Sequence, residues 1–286
     1  MKSWVYLTTF IVLIATRAMA VYGTEPADLF TSDRLELIKK ATAAIVTTEN
    51  LRLKEIPSLN EIYKFCGVEK YLEQKLWANC SGVLISKDII LTAGHCIASH
   101  TQCPEKSFVF DFLTNDDIPR LQSNLKNVFQ CKKVIFWSQP ILQKNLVDFA
   151  LIQLDRSVDG RTPIKLSVDP LTKAQDIFAS GHPLGLPLKI SVGYVSQKNA
   201  EANLLPGKSF YSSQMASHPG LSGAGVYNSD QNLVGLLVRG ESNIESDDGR
   251  CQRIKTCDSE NCPWAEIQKL DVKLIEKLIK KSQNSR

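Results

Sequence analysis

Short runs rich in β-branched and aromatic residues recur along the chain from about residue 43: AAIV, CSGVLIS, DIILTAG, SFVFDFL, KKVIFW, FALIQLD, QDIFASG, LKISVGYVS, GAGVYN and LVGLLVRG. Gly, Pro, Asn, Asp and Ser punctuate them. Runs of this length, separated by turn residues and not by helical segments, predict β-barrels or a sandwich. The pattern changes at the end. In IQKLDVKLIEKLIKKSQ, Ile267, Leu270, Leu274 and Leu278 fall on one helical face and lysines fill the rest, which predicts an amphipathic C-terminal helix over about 265–283, docked on the last barrel with its lysines solvated. Arg156 to Pro163, RSVDGRTP, reads as a linker between a first half (about 43–158) and a second (about 159–264). Repeats and low-complexity tracts are absent.

The first twenty residues differ from all of this. Lys2 precedes an apolar run from Trp4 to Ala15, and Ala18-Met19-Ala20 has the form of a cleavage site, so residues 1–20 are expected to be a signal peptide cut after Ala20. The run is shorter than the roughly 20 residues that span a bilayer, and Arg17 interrupts its end. Residues 21–42 are polar and are expected to be a strap or pro-segment with one helical turn. The expected location is secreted or periplasmic.

Of 34 basic residues, Lys2 and Arg17 leave with the signal, so 32 remain against 30 acidic ones, a net charge of +2. So even a balance argues against nucleic acid or an anionic membrane as partner. All eight cysteines lie beyond residue 20, and in an oxidising compartment an even count points to disulfides. The spacing Cys257-x4-Cys262 suits zinc poorly, with no histidine near, so no metal and no cofactor is expected.

Candidate chemistry comes from three stretches. A serine hydroxyl becomes a nucleophile when an imidazole takes its proton and a carboxylate orients that imidazole. CSGVLISKDIILTAGHC places His95 beside Cys96, sixteen residues after Cys80. By itself, His95 there is equally a buried histidine next to a structural disulfide. NLVDFALIQLD brings Asp148 into an apolar strand, where a carboxylate is costly unless paired. SHPGLSGAGVYN sets Ser222 between Gly220 and Gly223, and these let the backbone curl until N–H groups converge.

Taken together these words resemble the trypsin/chymotrypsin-type serine peptidases. TAGHC (Thr92 to Cys96) is similar to the family's TAAHC or TAGHC, DFAL (Asp148 to Leu151) to its D-[IFW]-A-L, and GLSG (Gly220 to Gly223) to its G-[DN]-S-G, in the family's order. Spacings of 53 residues from His95 to Asp148 and 74 from Asp148 to Ser222 suit that fold. VYGTEPADLF, FCGVEKYLEQKLWANCSG, GHPLGLPLKI and GLLVRGE look closest to secreted bacterial members, the glutamyl endopeptidase-like branch included. The resemblance implies an all-β fold of two six-stranded antiparallel Greek-key barrels, a peptidase domain over 43–286, and a secreted serine endopeptidase acting on proteins or peptides. It implies His95 as general base, Asp148 as its orienter, Ser222 as nucleophile, and the Gly220 and Ser222 N–H groups as oxyanion hole. Ala216, His218 and Gly240 become substrate-binding residues. Disulfides Cys80–Cys96 and Cys103–Cys131 are expected, while the pairing of Cys66, Cys251, Cys257 and Cys262 stays open. A monomer is expected, with a protein inhibitor as a further partner.

Departures from the pattern matter. Leu221 stands where the family has Asp or Asn, Ala224-Gly225 replaces Gly-Pro or Ser-Pro, and His218-Pro219 occupies an approach expected to be small. Ala216 replaces the aspartate with which trypsins read Lys and Arg, so cleavage in the trypsin manner is not expected. Ile45-Val46 is similar to the new amino terminus of an activated zymogen, but Leu221 carries no charge to receive it, and AAIVTT is read as a first strand. The alternative function is an inactive homologue kept as a binding module, with the Pro219-Gly220-Leu221 turn as its support. His182 is expected to be a turn residue and His100 a surface one.

Overall fold

The structure is a computed structural model, described here for residues 32–67, 71–97, 100–139, 147–196, 209–242, 244–247, 249–254 and 264–284. The expected signal peptide, the first part of the strap, Cys257 and Cys262 lie outside the described residues, as does the side chain of His100.

Twelve strands close into two antiparallel barrels. The first contains β1 (Thr42–Thr47), β2 (Cys80–Ser86), β3 (Ile89–Thr92), β4 (Lys106–Val109), β5 (Val128–Ser138) and β6 (Phe149–Leu154), hydrogen-bonded in the order β1-β2-β3-β6-β5-β4. The second contains β7 (Asp176–Gly181), β8 (Lys189–Val195), β9 (Phe210–Met215), β10 (Gly225–Asn228), β11 (Leu233–Gly240) and β14 (Trp264–Lys269). Its order, β7-β8-β9-β14-β11-β10, repeats the first barrel's Greek-key permutation. A hairpin of β12 (Ile244–Asp247) and β13 (Cys251–Ile254) is inserted before the last strand. The expected fold class is therefore the observed one.

The strands form where the sequence alternates or runs apolar. FALIQL, the whole of β6, is buried because it lies between β3 and β5. One apolar cluster runs from Ile45, Ile90, Leu91 and Phe149 in the first barrel to Phe178, Tyr227, Leu236 and Val238 in the second, so the barrels share a core. Polar bonds fix their relative position: the hydroxyls of Thr42 and Ser180 lie 2.9 Å apart, and the Ser81 N–H donates to the Ser222 carbonyl at 2.8 Å.

Two expectations are corrected, the single helical turn of the strap and the start and docking of the C-terminal helix. The strap carries a ten-residue helix, Ser32–Ala41, whose Leu35, Ile38 and Ala41 are buried and which runs directly into β1. Ile45 is fully buried in mid-strand, paired with Cys80 on one side and Phe108 on the other. Between the barrels, Arg156 donates to the carbonyls of Leu125, Lys126 and Val128, and Arg161 grips Asp111 through two bonds and the Lys40 carbonyl through a third. The C-terminal helix begins at Val272, because Trp264–Lys269 pairs with β9 and β11. It docks on β5 of the first barrel, where Lys133 donates to the Ser282 carbonyl, not on the last barrel. Ile275 faces the core and Leu274 is exposed. Among the described residues no helix is long and apolar enough to cross a membrane.

Disulfides join Cys80 to Cys96 and Cys103 to Cys131, with Cα atoms 6.1 and 5.3 Å apart. A third, Cys66–Cys251, ties the loop after the short helix Leu59–Tyr63 to the inserted hairpin.

Candidate active site

β3 ends at Thr92, and Gly94-His95-Cys96 makes a single 3-10 turn at the barrel rim. Three contacts fix that turn. Cys96 is bonded to Cys80, the Trp137 indole N–H donates to the Gly94 carbonyl at 2.8 Å, and the Gly94 Cα is packed against the Ser138 carbonyl so closely that a Cβ would overlap it. Asp148 sits one residue before β6 and is buried. Its two carboxylate oxygens accept from the same residue, Oδ1 from the His95 backbone N–H at 3.1 Å and Oδ2 from His95 Nδ1 at 2.9 Å. The His95 ring itself is 30% exposed, so a buried acid orients an accessible imidazole.

Gln268 completes this arrangement from the second barrel. Its Oε1 accepts the Asp148 backbone N–H at 2.6 Å, while its Nε2 donates to the carbonyls of Ser209 and Lys269. Reading residues 265–269 as helix concealed this role; in a strand, Gln268 faces opposite to the core residue Ile267 and so points out of its own barrel, toward Asp148.

Ser222 lies on the turn Ser217–Ala224. The Pro219 carbonyl accepts from Leu184 N–H at 2.5 Å, the Leu221 carbonyl from Ala224 N–H at 2.9 Å, and the Gly220 carbonyl from the Ser81 hydroxyl at 2.8 Å. Gly220 has φ +88°, and a Cβ there would strike the His182 carbonyl. Because a trans peptide points its N–H opposite to its C=O, the Gly220 and Ser222 N–H groups face away from the bonds that hold the turn. Neither meets a backbone carbonyl among the described residues. Leu221, in the place where the family has Asp or Asn, is 1% exposed and packs in the second barrel's apolar core.

His95, Asp148 and Ser222 line one cleft of about 450 Å³, together with Ser217, His218, Pro219, Val238, Arg239 and Gly240. Of the expected site residues, Gly220 belongs to the turn but is not among the residues lining the cleft. Ala216 does not line it: it is buried, and its carbonyl accepts from the Ser191 hydroxyl. Among the described residues, the groups that could gather metal ligands, Cys80/His95/Cys96 and Cys66/Asp247/Cys251, have both sulfurs consumed in disulfides.

His182 supports the turn from behind. It is fully enclosed, stacks on Phe112, receives no bond at Nε2 among the described residues, and donates from Nδ1 to the Leu186 carbonyl at 3.0 Å. Burial holds its imidazole down to about 4, against the pull of the Leu186 carbonyl and with some help from the Lys189 charge. The unfolded chain takes this proton near pH 6.5 and the folded chain only near 4. Between those values the unfolded state binds more protons, so stability falls as pH falls, by about 3 kcal/mol in all. His182→Gln is expected to lack this component, and urea unfolding of both proteins at pH 7 and pH 4.5 checks it. An equal loss in both would show that other groups carry the acid sensitivity.

A sequence profile of the trypsin-like peptidase domain matches residues 80–236. No curated protein matches the chain. Among solved structures, 884 chains match. One is the crystal structure of Rv3671c from M. tuberculosis H37Rv, a serine-to-alanine mutant in an inactive form. It is 11% identical, with a TM-score of 0.51 over 92% of this chain and 96% of that one, a likeness of fold alone.

Proposed function

Because the chain belongs to the trypsin-like peptidase domain family, we propose that it is an exported serine endopeptidase that works through an acyl-enzyme. The observation that carries this reading is the bond from His95 Nδ1 to a buried Asp148, on the wall of the cleft that Ser222 also lines. Donation from Nδ1 fixes the tautomer, so Nε2 keeps its lone pair for the serine proton. Ser222 Oγ attacks the substrate carbonyl as His95 takes the proton. Asp148 stabilises the resulting imidazolium. The developing oxyanion is received by the Gly220 and Ser222 N–H groups, whose peptides are already held by Leu184 and Ala224 and need not reorganise. The imidazolium then protonates the leaving amine. Water, deprotonated by the same histidine, releases the acyl group.

Export of the chain agrees with the Ala18-Met19-Ala20 site and with three disulfides among the described residues. Incubation of protein beginning at Val21 with a denatured protein mixture, followed by mass-spectrometric mapping of amino termini, tests the reading. New termini inside the substrates are expected; their absence over a day at neutral pH would overturn it.

A further inference from the structure

We propose that the pocket beside Ser222 is closed to large side chains, and that the enzyme cleaves after glycine, alanine or serine. The proposal rests on the serine-peptidase reading. A residue whose carbonyl is attacked by Ser222 must place its side chain against the cleft walls, which are Ser217 to Pro219 on one side and Val238 to Gly240 on the other. These walls touch. A Cβ built on Gly240 would lie 2.6 Å from Ser217 Cβ and 2.7 Å from its Oγ, with the Trp264 carbonyl oxygen at 2.7 Å behind. No slot therefore runs between them toward the interior. Ala216, where a deeper pocket would have its floor, is sealed from the cleft by that contact and is 5% exposed. His218, 3% exposed, fills the space next to it.

Charge points the same way. Among the described residues the only acid lining the cleft is Asp148, which is committed to His95. Glu241 is exposed and does not line it. A lysine or arginine would find no available carboxylate among the described residues and would face Arg239. An acidic residue would find a guanidinium whose charge Glu266 already balances. What remains is a short, uncharged side chain.

Peptides identical except for the residue before the scissile bond (Gly, Ala, Ser, Leu, Phe, Lys or Glu) would be compared by kcat/KM, with the active serine counted by a fluorophosphonate carrying no peptide. The small three are expected to exceed the others by about 10-fold or more, the range in which a few misfitted methylenes discriminate. Faster cleavage after Leu, Phe, Lys or Glu would overturn the proposal and leave the peptidase reading standing, as would titratable protein that cuts none of the small-residue peptides. Protein with no titratable serine would overturn both. Ser217→Gly removes the contacting atoms and is expected to raise Leu relative to Ala by about 10-fold; an unchanged ratio would show that Ser217 is not the gate.

Discussion

Alanine at Ser222 or at His95 is expected to lower peptide hydrolysis by roughly four to six orders of magnitude, with little change in thermal unfolding. The first part follows from chemistry: without the imidazole the hydroxyl keeps its proton, and without the hydroxyl nothing attacks. The second follows from packing. The bond that anchors Ser222 is made by its backbone carbonyl, which accepts from Ser81, and alanine retains it. The His95 loop is held by Cys80–Cys96 and by the Trp137 indole, neither of which involves the ring. Asp148→Ala should behave differently. It removes the acceptor of the half-buried His95 N–H as well as of the ring, and so should cost about 1–3 kcal/mol of stability along with activity. Rates on one peptide and melting curves of the three variants check this. A Ser222→Ala protein that hydrolyses at the wild-type rate would remove Ser222 from the mechanism.

Gly94→Ala should have the second largest effect, although the related word TAAHC carries alanine at this place. Here the glycine Cα abuts the end of β5. An added Cβ would overlap the Ser138 carbonyl and lie 3.1 Å from Asp148 Oδ1. Ser138 has little room to retreat, since it pairs with Phe149 and its hydroxyl donates to the Val147 carbonyl. The strain should therefore pass to the bonds between His95 and Asp148. About 1–3 kcal/mol of stability is expected to be lost, and kcat is expected to fall about 100-fold, as follows when a catalytic group moves by roughly 1 Å. Urea unfolding and steady-state kinetics measure both. Wild-type values in each would mean that β5 yields at Ser138.

The parts of the fold written in local patterns were legible before the structure. β6 announces itself as FALIQL, and the three words around His95, Asp148 and Ser222 single out residues that the fold brings to one cleft. What was misplaced depends on long-range pairing. Ile267 and Leu270 stand in helical phase with Leu274 and Leu278, yet residues 264–269 gain more by bonding to both β9 and β11. That override also hid Gln268 behind Asp148. The contact of Ser217 with Gly240 joins residues 23 positions apart in sequence, so no reading of either neighbourhood could reveal a sealed pocket. The pairing of Cys66 with Cys251 spans 185 residues and was open for the same reason.

The central claim is that Ser222 is an activated nucleophile in a folded, exported protein. Reaction of purified protein with a fluorophosphonate, then digestion and mass spectrometry, tests it most directly. The account predicts one adduct per chain, on the Ser222 hydroxyl, formed at neutral pH by wild-type protein and absent from His95→Ala. Folded wild-type protein that stays unlabelled from pH 6 to 9, or that carries the adduct on another residue, would contradict it.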